Sequence, residues 1–94
     1  MSDGMAADLS WLQGRRIALV GKLGGVSRRQ AVQLLRELGG LPVDRCDAQT
    51  QLVVIGAEEG RDAAERLLDD ATRARIEWGE IPLLHETELW QRLG

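Results

Sequence analysis

The residues best placed to do chemistry lie in "LVGKLGGVSRRQ", Leu19 to Gln30, where an apolar run ends at a glycine and two arginines follow a serine. Gly21 lets a backbone N–H come close to a ligand, Lys22 adds a point charge, and Arg28 offers a planar fork of donors suited to phosphate oxygens. Ser27 reads as the cap of a helix, with Arg28 and Arg29 at its first two positions. Cations there oppose the positive end of the helix dipole by roughly 0.3–1 kcal/mol each. Two readings are open. The arginines await an anion at the helix N-terminus, or they point into water and pair with Glu and Asp. Arg29 is read as plain surface.

Other chemistry finds little support. A nucleotide-binding P-loop needs a glycine five residues before Gly21, where Arg16 stands, and a Ser or Thr after Lys22, where Leu23 stands. "GKLGG" is not the G-x-G-x-x-G dinucleotide fingerprint either. His85 has no serine or cysteine partner beside it and reads as a cap or surface residue. Cys46 reads as a small buried filler. One cysteine forms no internal disulfide, and one cysteine with one histidine makes no zinc site of usual stoichiometry. We expect no catalysis, metal, cofactor or small-molecule substrate. Trp11, Trp78 and Trp90 read as packing residues, with Trp90, next to the inward Leu89, a second candidate as a partner surface.

The elements that must position these residues follow from periodicity. "RRIALVGKL" (15–23) is a continuous aliphatic run, as in a strand buried on both faces. Ala31, Leu34, Leu35 and Leu38 then fall on one helical stripe, Ser27 and Gln30 are spaced as a capping box, and Gly39–Gly40 stop the helix. "LPVDR" (41–45) is a short strand that Pro42 marks as an edge, and "QLVVIG" (51–56) is a buried one. Residues 57–78 read as one polar helix with Ala64, Leu67, Leu68 and Ala71 in register, its acidic run forming a solvated face. "IPLL" (81–84) is a fourth strand, and "HETELWQRL" (85–93) closes with a helix burying Leu89 and Leu93. The order β-α-β-β-α-β-α predicts an α/β domain with a largely parallel sheet.

Ninety-four residues make one domain, and three Trp with no Phe or Tyr require an aliphatic core. No apolar stretch approaches the ~20 residues of a membrane span, and the acidic start "MSDGMAADLS" is no signal peptide. A cytoplasmic protein, with nucleoid association open, is the expectation, and the chain reads as a domain cut from a longer protein. Its net charge of −3 hides an asymmetry: residues 15–45 carry +5, residues 46–94 carry −6, and the first fourteen carry −2. Such a division can mark a face for a polyanion.

Together, "LQG" (12–14), "GKL" (21–23), "SRRQAVQLLRELGG" (27–40), "TQLVVIG" (50–56) and "IPLLHETELWQRL" (81–93) resemble the BRCT family. The likeness is nearest to the BRCT domains of NAD-dependent DNA ligases and of the replication factor C large subunit. It covers about residues 12–93, which gives residues 1–11 as an N-terminal extension and residues 12–94 as the BRCT-like domain. The resemblance implies a four-stranded parallel sheet with helices one and three on one side and helix two on the other. It also implies a non-catalytic module, in a larger bacterial protein of DNA maintenance or transcription, that docks onto a protein or onto DNA, including 5′-phosphorylated ends.

By the same resemblance, Gly21, Lys22 and Arg28 fall at phosphate-reading positions, with Arg61 the nearest equivalent of a lysine at the start of helix two. Two departures stand out. Val20 occupies the place of a hydroxyl residue and donates no hydrogen bond, and the helix-two region is several residues longer. Two alternatives remain beside phosphate recognition. One is non-specific DNA binding through the basic first third, and the other is a structural or dimerisation module with no anion site.

Overall fold

The computed structural model describes residues 10–60 and 62–93. The chain alternates strands and helices as β1 (Arg16–Val20), α1 (Arg28–Glu37), β2 (Leu41–Val43), β3 (Leu52–Ile55), α2 (Ala63–Leu67), α3 (Asp70–Glu77), β4 (Leu83–His85) and α4 (Glu86–Leu93). All pairings are parallel, in the order β2-β1-β3-β4. This is the α/β class with the four-stranded parallel sheet expected from the sequence, an arrangement compatible with a BRCT-like fold. Among the described residues no helix is long and apolar enough to cross a membrane.

Strand alternation sorts the core into two layers. Ile17, Leu19, Leu52, Val54 and Leu84 point to one face, where they pack with Ala31 and Leu35 of α1 and Leu89 of α4. Val53 and Ile55 point to the other, with Ala63 of α2, Leu68 and Ile81. Leu12, in a 3-10 turn at Ser10–Leu12, closes the first layer, and Trp11 packs against it with Arg92 over its ring. Helices therefore cover both faces, which is what two-sided aliphatic strands require.

Most local signals act as read. Ser27 and Gln30 form a reciprocal capping box, and Gly39 ends α1 at φ +91°. The strands are shorter than their apolar runs, and Ile81 is buried just before β4 rather than in it.

The segment after β3 departs from the expectation of one helix. It breaks at Leu68, which is extended (φ −101°, ψ 145°), and Asp69 caps a second helix by accepting the Thr72 N–H. The break changes the register: Ala63, Leu68 and Thr72 are buried, whereas Leu67 and Ala71 are exposed and Trp78 is 77% exposed.

Candidate functional site

The loops that follow β1 and β3 meet at the C-terminal end of the sheet, where open α/β sheets commonly place their ligands. Gly21 turns the chain out of β1 with φ +80°, a conformation that L side chains rarely adopt. A Cβ at Gly56, directly after β3, would overlap the Lys22 carbonyl, so glycine is what allows the two loops to close on each other. Glu58 N–H donates to Lys22 C=O across this junction.

Within it sit two carboxylates of the chain's own. The Glu59 side chain lies over Gly21 and accepts the Lys22 backbone N–H at 2.8 Å. Its other oxygen pairs with Arg66 of α2 at 3.0 Å. The Lys22 N–H and then Arg66 hold the Glu59 carboxyl below its ordinary value. The backbone donor at this end of β1 is thus anion-competent, and an internal anion occupies it.

Glu86, the first residue of α4, is the second. Only 1% exposed, it accepts four hydrogen bonds: Gly24 N–H (2.7 Å) and Ala57 N–H (2.9 Å) on Oε1, Gly25 N–H and Trp90 Nε1–H (both 2.7 Å) on Oε2. Burial alone would push this carboxyl up. The indole and the three backbone donors outweigh it and hold the group down at about 2. One carboxylate therefore fastens the β1–α1 loop, the β3–α2 loop and α4 together.

Arg28 acts on a different edge. Arg15 C=O accepts from Leu41 of β2, whereas Arg16 and Val20 C=O accept from Gln51 and Gly56 on the β3 side. By alternation, Leu19 and Gly21 carbonyls face the β2 side, but β2 reaches only as far as Val43, opposite Ala18. The Arg28 guanidinium takes the missing strand's place, donating to Leu19 C=O at 2.9 Å and Gly21 C=O at 3.0 Å. Asp44, directly after β2, lies 3.6 Å from it. An arginine at a helix start, unfavourable for the dipole, satisfies two carbonyls that would otherwise lack partners.

Along the same edge, α1 and β2 enclose a groove of about 740 Å³. Arg28, Arg29 and Arg36 line it, above an apolar floor of Val32, Pro42 and Val43.

Of the residues singled out from sequence, Gly21 and Lys22 meet Glu59 at the end of β1, whereas Arg28 meets Gly21 through its carbonyl, on the β2 side. The Lys22 side chain is exposed. Arg61 lies outside the described residues. Trp90 packs against the core and donates its indole N–H to Glu86, so its polar atom holds an internal partner. His85 is exposed at the end of β4, and Cys46 is partly buried, its thiol pushed up by burial and by Asp69. Among the described residues no group of His, Cys, Asp and Glu could hold a metal ion.

Sequence reasoning missed Glu59 and Glu86. For Glu86 a signal existed: Glu86 and Trp90 are four apart on α4, which puts a carboxylate and an indole donor on one helix face. Scanned against known protein families, the chain matches no family model.

Proposed function

We propose that this domain is a non-catalytic recognition module of the BRCT kind that docks a larger protein onto another protein or onto DNA. The observation that carries the reading is the groove between α1 and the edge strand β2. There the exposed Arg29 and Arg36, beside Arg28, stand over an apolar floor, and with Glu37 and Asp44 on the same lining the groove still carries a net positive charge on a molecule whose net charge is −3. A local concentration of cations on an acidic molecule marks a place for an anionic partner. The parallel sheet covered on both faces, and the motifs that resemble BRCT domains, support the same reading.

A second reading, recognition of a single phosphate by Gly21, Lys22 and Arg28, draws on the Lys22 N–H, which already holds a carboxylate. A terminal phosphate would have to displace Glu59 from that N–H and from Arg66, with no hydroxyl at Val20 to help.

Titration of the 15N-labelled chain with duplex DNA, with and without a 5′-phosphate, and with acidic peptides tests both. We expect the amides of Val32, Arg36 and Val43 to shift with at least one of these ligands, and the Lys22 amide to ignore the 5′-phosphate. If no ligand moves the groove, the docking reading is lost. A Lys22 shift specific to the phosphorylated end would place recognition at the end of β1 instead.

A further inference from the structure

We propose that the α1–β2 groove takes an extended, acidic segment of a partner protein, seating an apolar side chain between two carboxylates. This rests on the docking reading above and commits it to a peptide rather than to nucleic acid.

The charge is arranged for it. Arg29 and Arg36, both exposed, are seven residues apart on α1, two helical turns, so they share a face at a separation of about 10 Å along the axis. An extended peptide rises about 3.3 Å per residue. Its successive side chains point to opposite faces, so carboxylates four positions apart lie on one face, about 13 Å apart, with the residue midway between them on the same side. The two long guanidinium side chains can span that distance, and each can take a carboxylate through paired N–H donors. Between the arginines lies the apolar floor of Val32, Pro42 and Val43, all partly exposed.

The sheet edge limits how such a segment is held. Leu41 N–H donates inward to Arg15 C=O, so alternation turns Pro42 to the open side of β2, and proline has no N–H. An added strand would lack a donor at that position, and the occupant must be held by its side chains. That is why paired carboxylates and an apolar anchor are needed together.

Nucleic acid fits less well. Glu37 and Asp44 line the same groove and repel an unbroken row of phosphates, whereas a peptide can place uncharged residues opposite them. Among the described residues no aromatic side chain lines the groove to stack a base.

The test uses the 15N-labelled full chain and a nine-residue peptide of glycine and serine carrying two glutamates four positions apart with a leucine midway between them. We expect saturable shifts at Val32, Gln33, Arg36 and Val43, and at least tenfold weaker binding when both glutamates become glutamine. The Arg29→Glu, Arg36→Glu double variant should weaken the glutamate peptide at least tenfold and bind a lysine version of the peptide in its place. Arg28 is left intact because it caps β1, and unchanged shifts elsewhere report an intact fold.

Equal binding of the glutamine peptide, or shifts confined to another surface, overturns the proposal. So does duplex DNA that moves these amides where the peptide does not, although the docking reading then survives. Concentration-dependent shifts of the same amides without any ligand would assign the groove to a second copy of the chain and likewise overturn it. The docking reading itself fails only if neither peptide nor DNA touches the groove.

Discussion

At the scale of single residues, two internal carboxylates, Glu59 and Glu86, take up backbone donors at the C-terminal end of the sheet. Glu86 is the clearest case, because a buried carboxylate with four donors is stable only as an anion. Its carboxyl sits at about 2 against an ordinary 4.5. A carboxyl lowered by folding contributes stability that is complete above its unfolded value and lost as pH falls toward its folded value. The window is therefore pH 4.5 down to about 2, and the contribution is roughly 3 kcal/mol. Glu86→Gln replaces one acceptor oxygen by an N–H2 facing donors, so we expect a loss of about 3 kcal/mol or more at pH 7. In urea titrations the gap between the variant and the natural protein should close as pH falls from 4.5 to 2. A gap independent of pH would show that packing, not charge, sets the effect. Arg28 follows the same logic with the opposite sign, a cation assigned to backbone carbonyls.

At the scale of elements, the break between α2 and α3 decides what the far face of the sheet buries. A continuous helix would have put Ala64, Leu67, Leu68 and Ala71 on one stripe. The extended Leu68 instead drops its side chain into the second core layer, and Asp69 restarts the helix through Thr72 N–H. The Thr72 side chain, and after it that backbone bond, lower the Asp69 carboxyl. Asp69→Ala should cost about 1 kcal/mol, the usual price of a lost N-cap, and Asp69→Asn much less. Circular dichroism during urea unfolding measures both. Equal losses in the two variants would mean that charge rather than capping matters there.

At the scale of the whole molecule, the charge asymmetry along the chain does not become one basic face. Arg15 and Arg16 stand at the start of β1 and Lys22 beyond its end, separated by a strand of five residues, or about 17 Å. Arg45 lies beside Asp44 and Asp69, near Cys46. Among the described residues of this basic third, only Arg28, Arg29 and Arg36 line one groove. Any binding to duplex DNA should accordingly show a log–log salt slope of about −3 or shallower, near −0.9 for each phosphate met. A slope near −6, as if all seven cations of the basic third took part, would restore the reading of non-specific DNA binding through that third.

The elements, their order and the parallel sheet were legible in the sequence because they follow from local rules, whereas the side each helix covers came only with the resemblance. Two-sided aliphatic runs, the stripe from Ala31 to Leu38, the capping box and the outward Pro42 each depend on residues close together in the chain. The break at Leu68 was not, since a polar stretch with few apolar anchors satisfies helical periodicity in more than one register. The sequence alone brought Gly21, Lys22 and Arg28 into view as neighbours and determined the aliphatic, parallel α/β body. The tertiary structure alone decided which groups they meet: Glu59 on the Lys22 N–H, the carbonyls of a strand that outruns its edge partner on Arg28, and Glu86 between glycines that lie 61 and 62 residues away. The physical reason is that backbone donors and acceptors belong to every residue alike, so which of them lack a partner is settled only when the strands have paired.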